Sequence, residues 1–350
     1  MASGSNQGKR VLSGMRPTGK LHLGNYVGAL QNWVSMQDQY ECYFCVVDWH
    51  ALTTDYADTS RVKENSIEVL FDWLAAGLDP ERCTMFMQSH VPQHAELHLL
   101  FSMITPLAWL ERVPSYKEQQ ANLTEKDLNT YGFLGYPLLQ AADILVYKAN
   151  FVPVGEDQVP HVELTREIAR RFNMFYKLDG APVFPEPQPL LTRTPKLPGT
   201  DGRKMSKSYG NTIMLADPEP VVRQKLKTMV TDPARVRRSD PGNPDVCPVG
   251  DLHKIFSDKA TIAKVYEGCR SAGIGCIECK SWVADALVNI LNPMQERRKK
   301  YEENPRLAWD ILEAGSARAR QVAEATMTEV REAMGISLDY EPSRIPQTSK

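Results

Sequence analysis

Short apolar runs alternate with longer stretches of helical period through the first two hundred residues, the signature of a parallel sheet flanked by helices. Arg10 to Ser13 reads as a first strand and Gly14 to Lys20 as a loop. A helix then begins at about His22, with Leu23, Val27, Leu30 and Val34 on one face. Cys42 to Val47 is a second strand. Ile67, Leu70, Phe71 and Leu74 mark an amphipathic helix stopped by Gly77, after which Thr84 to Gln88 forms a third strand. A helix across Leu138 to Tyr147 leads to a fourth, Phe151 to Val154. From about Thr212 only helical patterns remain, broken by Ser239 to Pro244 and by Gly273 and Gly275. The last helix puts Ala319, Val322, Ala323, Thr326, Val330 and Met334 along a narrow face of mostly small residues, with Gly335 as its stop. The expected layout is an α/β domain over 10–211 and a helical domain over 212–337, between a short polar leader, 1–9, and a frayed tail, 338–350.

Length agrees with two domains: 350 residues at roughly 150 per domain. With 41 Lys+Arg against 43 Asp+Glu, 42% hydrophobic and 24% charged residues, the chain is an ordinary globular one, which excludes collagen-like, low-complexity and wholly disordered proteins. The near balance of charge argues against a surface coated in cations, while leaving room for local basic patches toward a nucleic acid. No window resembles a membrane span or an apolar signal core, so a cytoplasmic address and no membrane partner are expected.

That address changes the reading of the seven cysteines, since a reducing compartment favours thiols as metal ligands over disulfides. Cys247, Cys269, Cys276 and Cys279 spell C-x21-C-x6-C-x2-C, and four thiolates suit tetrahedral Zn2+ or a [4Fe-4S] cluster alike. Cys42 and Cys45 sit in an apolar strand at an odd separation, which sends them to opposite faces as buried structural residues. His90, His94 and His98 have helical ligand spacing, but Pro92 interrupts it, and they read as surface or helix-start histidines.

Two segments carry anion chemistry. Residues 13–25, SerGlyMetArgProThrGlyLysLeuHisLeuGlyAsn, place a glycine-bearing loop between a strand and a helix start, where free N–H groups and the helix dipole welcome phosphate. Residues 202–211, GlyArgLysMetSerLysSerTyrGlyAsn, gather Arg203, Lys204 and Lys207 among small hydroxyl residues, as a loop that follows developing negative charge would. His22-Leu23-Gly24-Asn25 and Lys204-Met205-Ser206-Lys207-Ser208 resemble, in this order, the two signature motifs of the class I aminoacyl-tRNA synthetases. MetArgProThrGly before His22, AlaAlaAspIleLeu at 141–145, and ValProValGlyGluAspGln with HisValGluLeuThrArg across 152–166 are similar to the bacterial tryptophanyl branch of that family.

The resemblance covers about residues 10–335 and implies a Rossmann-like parallel-sheet catalytic domain followed by an all-helical anticodon-binding domain. It implies ligation of L-tryptophan to tRNA(Trp) through an adenylate, with ATP as substrate, Mg2+ on its phosphates, and a homodimer. By the same likeness Arg16, Pro17 and Thr18 line the ATP entrance, and His22, Gly24 and Asn25 hold the nucleotide. Lys204 and Lys207 serve the leaving pyrophosphate, with Met205, Ser206 and Ser208 beside them, and Lys117 is a further phosphate contact. Gly155, Glu156 and Asp157 meet the ribose; Tyr136 and Gln158 address the ammonium group; His50 walls the pocket. Asp143, between Ala142 and Ile144 on an apolar helix, is expected to be partly buried, and the resemblance gives it the indole N–H as partner. A subset of that branch carries a [4Fe-4S] cluster on a nearly identical cysteine pattern after ValArgArgSerAspProGlyAsnPro, which implies the cluster ahead of Zn2+ here. Arg235, Arg237 and Arg238, then Arg297, Arg298, Lys299 and Lys300, are the cationic patches toward RNA phosphate. A tyrosine-specific sister enzyme, a small nucleotidyltransferase, and a non-catalytic iron-sulfur regulator on the same scaffold are the competing readings.

Overall fold

The computed structural model describes residues 8–114, 128–192 and 196–337. Five parallel strands form its sheet: β1 (Arg10–Met15), β2 (Glu41–Val46), β3 (Cys83–Met87), β4 (Phe151–Val154) and β5 (Gln188–Leu191), in the order β3-β2-β1-β4-β5. The first four are those expected from the apolar runs, shifted by a residue or two. The fifth was not read, because its burial alternates weakly and prolines crowd the stretch before it. A sheet packed on both faces needs strands apolar on both sides. Strand β2 shows this plainly: Cys42 faces one hydrophobic cluster, with Trp33, Phe44 and Trp73, while Cys45 faces the other, with Phe86, Phe101 and Tyr147.

Helices α1 (Asp48–Asp55), α2 (Val62–Ala76), α3 (Gln93–Ser102), α4 (Tyr136–Leu145) and α5 (Val159–Phe175) belong to this layer. Helix α2 ends at Gly77, whose φ of 112° is the left-handed stop that glycine alone adopts freely. The helix expected from His22 is a composite: Leu23–Asn25, a π-helical stretch Tyr26–Leu30, and Gln31–Met36.

After residue 212 the chain is helical, as expected: α6 (Glu219–Thr228), α7 (Pro248–Phe256), α8 (Lys259–Arg270), α9 (Cys276–Glu303) and α10 (Pro305–Ala333). These do not stand apart from the sheet layer. Leu287, Leu291 and Leu312 share one hydrophobic cluster with Leu23, Val69 and Trp73. The small face of α10 explains how closely the two regions meet. A Cβ on Gly315 would lie 1.8 Å from the Met85 carbonyl oxygen, and Ser316 Oγ accepts the Met87 N–H at 3.2 Å. Arg318 and Arg320 bind the carbonyls of Pro80 and His90 on either side, so α10 covers the otherwise open edge of β3.

The cationic patches correct the expectation in part. Arg298 is buried in ion pairs with Glu68, Asp72 and Glu302, and Arg297 donates to the Ala75 carbonyl at 2.7 Å. Carboxylates on α2 draw Arg298 inward, away from solvent, whereas Arg297 stays exposed. Arg235 is likewise buried, with Nη1 3.8 Å from Cys269 Sγ and Nη2 on the carbonyls of Ile274 and Arg238. Arg237, Arg238, Lys299 and Lys300 remain exposed.

Candidate active site

Strand order reverses between β1 and β4, and in open α/β sheets the crevice at the carboxyl ends of such a pair is where ligands bind. A cavity of about 370 Å³ opens there, lined by Leu12, Ser13, Gly14 and Arg16 after β1 and by Val152, Pro153, Val154 and Gln158 at β4. Helix α1 contributes His50 and Thr53, and α4 contributes Tyr136, Gln140, Asp143 and Ile144. Four expected amino-acid contacts, Asp143, Tyr136, Gln158 and His50, therefore line one cavity. Arg16 reaches the same cavity and is held by the Ala51 carbonyl, the Thr54 hydroxyl and Asp55.

Asp143 is more deeply buried than the helix pattern suggested, at 3% exposure. Its charge is compensated by three donors. Oδ2 is 2.9 Å from His50 Nε2, Oδ1 is 2.6 Å from His94 Nδ1, and Gln88 Nε2 lies 2.8 and 2.9 Å from the two oxygens. Burial alone would push its pKa up; His94, and hydrogen bonds from His50 and His94, outweigh it and hold the carboxyl below the usual range. His94 is a correction. Read as a surface histidine because Pro92 breaks the spacing, it is fully buried, since Pro92 caps α3 and turns the helix so that His94 faces the sheet. The sequence reading gives Gln88 no role beyond the end of the third strand, and it lies one residue past β3; its Oε1 also accepts the backbone N–H of Trp49 and His50.

The phosphate side is built from the two signature segments. His22 caps the helical run, with Nδ1 accepting the Gly24 N–H at 3.0 Å while Asn25 Oδ1 accepts the His22 N–H at 3.1 Å. This leaves the imidazole hydrogen on Nε2. Burial, with Lys207 and then Lys204 nearby, pushes the His22 pKa down to about 4, so the ring is a neutral donor near pH 7. Lys207 Nζ rests on the Thr18 carbonyl at 2.6 Å and the Gly19 carbonyl at 3.2 Å, which brings two loops 189 residues apart into contact. The chain after the lysine loop is pinned to the same place: Leu23 N–H binds the Ile213 carbonyl, and Leu215 N–H binds the Leu21 carbonyl. Pro17 is buried and Thr18 is exposed.

Within the lysine loop, Met205 is buried as an apolar plug, while Lys204 and Ser208 are exposed and Ser206 partly so. Buried Asn211 organises it, accepting the Ser206 N–H at 2.8 Å and donating to Asp201 and the Lys204 carbonyl. Nothing in the spacing marked Asn211. Arg203 is a second correction: it pairs with Asp201 and stacks over Tyr209 at 4.2 Å, so it is not a bare cation. Gly155 opens the turn after β4, with Glu156 and Asp157 exposed at its surface; a Cβ on Gly155 would crowd Asp157 Oδ1. Lys117 lies outside the described residues.

Cys247 precedes α7, Cys269 ends α8, and Cys276 and Cys279 open α9, so three helix ends bring the four thiols to one region. They feel one another: burial first, then Cys247, Cys269 and Cys276, push the Cys279 thiol up to about 12. No group of three or more His, Cys, Asp or Glu side chains among the described residues is arranged to hold a metal ion, so this set is not closed as it stands. The Cys42 and Cys45 thiols are buried in the two cores.

A crevice at the switch point, a buried carboxylate in its wall, and a lysine loop folded onto a His-capped helix start define an enzyme that activates a small acid with a nucleotide. The family model for class I tRNA synthetases of the W and Y type matches residues 5–292, and the chain belongs to that family. Similar curated relatives are the tryptophan–tRNA ligase of Thermotoga maritima, 56% identical over 93% of this chain and 99% of that protein, and that of Ralstonia nicotianae, 50% identical over 94% and 99%. Among solved structures, tryptophanyl-tRNA synthetase from Campylobacter jejuni complexed with ADP and tryptophan superposes with a TM-score of 0.84, at 32% identity over 93% of this chain and 99% of that one.

Proposed function

We propose that the chain is a tryptophan–tRNA ligase. A carboxylate oxygen of L-tryptophan attacks the α-phosphorus of ATP, the bond to pyrophosphate breaks, and the aminoacyl group then passes to the 3′ end of tRNA(Trp). The observation that carries the adenylation step is the meeting of Lys207 with Thr18 and Gly19 beside the His22 cap. Ammonium charge and a neutral imidazole donor then flank one anion site, and catalysis by position and electrostatics needs no covalent enzyme intermediate. Arg16, Pro17 and Thr18 border ATP, His22, Gly24 and Asn25 hold it, Gly155, Glu156 and Asp157 receive the ribose, and Lys204 through Ser208 cover the phosphates. Mg2+ arrives with the triphosphate. Asp143 accepts the indole N–H, and Tyr136 and Gln158 meet the ammonium group. The test is ATP–pyrophosphate exchange: tryptophan should support it and tyrosine should not, and the reverse preference would overturn the assignment.

The division at 211/212 into catalytic and anticodon-binding domains is part of this reading, as is a cytoplasmic setting; no helix among the described residues is long and apolar enough to cross a membrane. Exposed Leu99, Met103 and Leu107 offer an apolar face for a homodimer. For Cys247, Cys269, Cys276 and Cys279 we propose a [4Fe-4S] cluster with a structural role, Zn2+ being the alternative. The donor chemistry fits: four thiols meet two buried cations, Arg235 and Lys280, which would offset thiolate charge. Anaerobically purified protein should contain four irons and four sulfides per chain, lost in Cys276→Ser; zinc instead would remove the cluster.

A further inference from the structure

His94 does not itself line the cavity, and its ring is wholly buried between two polar groups. Nδ1 lies 2.6 Å from Asp143 Oδ1, and Nε2 lies 2.7 Å from the Tyr147 hydroxyl. Tyr147 is itself buried, stacked on Tyr43 at 4.9 Å and edge-on to Phe86 at 5.2 Å, so neither ring has room to turn. Burial, with Cys45 and Asp143 close by, keeps this phenol neutral. The ionised Asp143 carboxylate can only accept, so the Nδ1 that faces it carries a hydrogen, while Nε2 is anchored by its hydrogen bond with the Tyr147 hydroxyl.

The torsion that orients an aspartate carboxylate is soft, so an oxygen held on one side alone rocks, and a hydrogen bond weakens steeply as its angle closes. Here His94 binds Oδ1, His50 approaches Oδ2 from the cavity wall, and Gln88 bridges the two oxygens; neither His94 nor Gln88 lines the cavity. We propose that His94, anchored at Nε2 by Tyr147, is a positioning residue for amino-acid selection: it locks the plane of the Asp143 carboxylate so that one edge stays aimed at the substrate's ring N–H. This rests on the reading of Asp143 as the indole acceptor and extends it one layer outward, to residues that never touch substrate.

The experiment compares tryptophan with an analogue whose indole nitrogen is replaced by sulfur, a benzothiophene side chain that cannot donate. kcat/KM for adenylate formation is measured for both in the wild-type protein, His94→Leu, His94→Asn, Tyr147→Phe and Asp143→Asn. In His94→Leu the value for tryptophan should fall on the order of 10- to 100-fold, as for a lost charge-assisted hydrogen bond, while that for the analogue stays within about twofold. His94→Asn, whose side-chain amide stands near the Nδ1 position, should restore most of the preference, and Tyr147→Phe should lose part of it. If Asp143→Asn collapses the preference while His94→Leu and Tyr147→Phe keep it, His94 is packing only and the proposal fails. Equal losses on both substrates also overturn it. Asparagine keeps an acceptor oxygen, so Asp143→Leu is measured as well; if it leaves the preference intact, the underlying acceptor reading is wrong. Should His94→Leu not fold, the nearly isosteric Tyr147→Phe decides alone.

Discussion

His22 and His161 are both pushed down to about 4 from an ordinary 6.5, each chiefly by burial. A base with a depressed folded pKa leaves the unfolded chain holding more protons between the two values. Stability is therefore full above about pH 6.5 and is lost as pH falls toward 4. Urea unfolding at pH 7.5 and pH 5 should show that loss, and His22→Asn should make it shallower; an unchanged slope would assign the effect elsewhere. At this scale Asp143 was legible because an acid between Ala142 and Ile144 on an apolar helix needs a partner. The donors that satisfy it were not. His94 and Gln88 reach it from other elements, 49 and 55 residues away; Gln88 carries no periodic signal, and the helical spacing of His94 with His90 and His98 points to a surface or helix start once Pro92 is weighed.

Between elements, α10 against β3 is the tightest contact. Gly315→Ala would place a methyl group inside the van der Waals shell of the Met85 carbonyl, where the obstacle is backbone and cannot swing aside. Overpacking of this kind costs about 1–3 kcal/mol or more, read as a lower urea midpoint with the slope unchanged; a wild-type midpoint would mean the helix shifts freely. The small face of α10 was visible in the sequence as Ala319, Ala323 and Thr326, but its partner was not, since helical period tells which face packs and not what it packs on. Strands β1 to β4 were legible from their apolar runs. Strand β5 was not, being short and half-exposed at the sheet edge. The spacing of the four cysteines is visible in the sequence, and the buried cations Arg235 and Lys280 near them emerge only in three dimensions.

Across the whole molecule, Arg298 on α9 binds Asp72 on α2, and the other oxygen of Asp72 accepts the Leu21 N–H at 2.6 Å, immediately before His22. One buried pair thus ties the helical region to the nucleotide loop. Burial pushes the Asp72 pKa up to about 6 even with Arg298 opposite. Arg298→Met should destabilise by about 3–5 kcal/mol by stranding that carboxylate. The loss should be larger at pH 8 than at pH 5, where Asp72 takes up a proton, and Asp72→Asn in the same background should recover part of it. Thermal melts at the two pH values check both statements.

The seal of α10 over β3 also has a consequence in time. Synthesis runs from the amino end, and Ser316 follows Met87 by 229 residues, roughly 10–45 s at 5–20 residues per second. Throughout that interval the parallel sheet can assemble with one rim of peptide groups bare, a template for pairing with a neighbouring nascent chain. A chain stopped before residue 304 would keep that rim for life and should be recovered as aggregate, so the last helix acts as the closing step of biogenesis for a sheet laid down at its beginning.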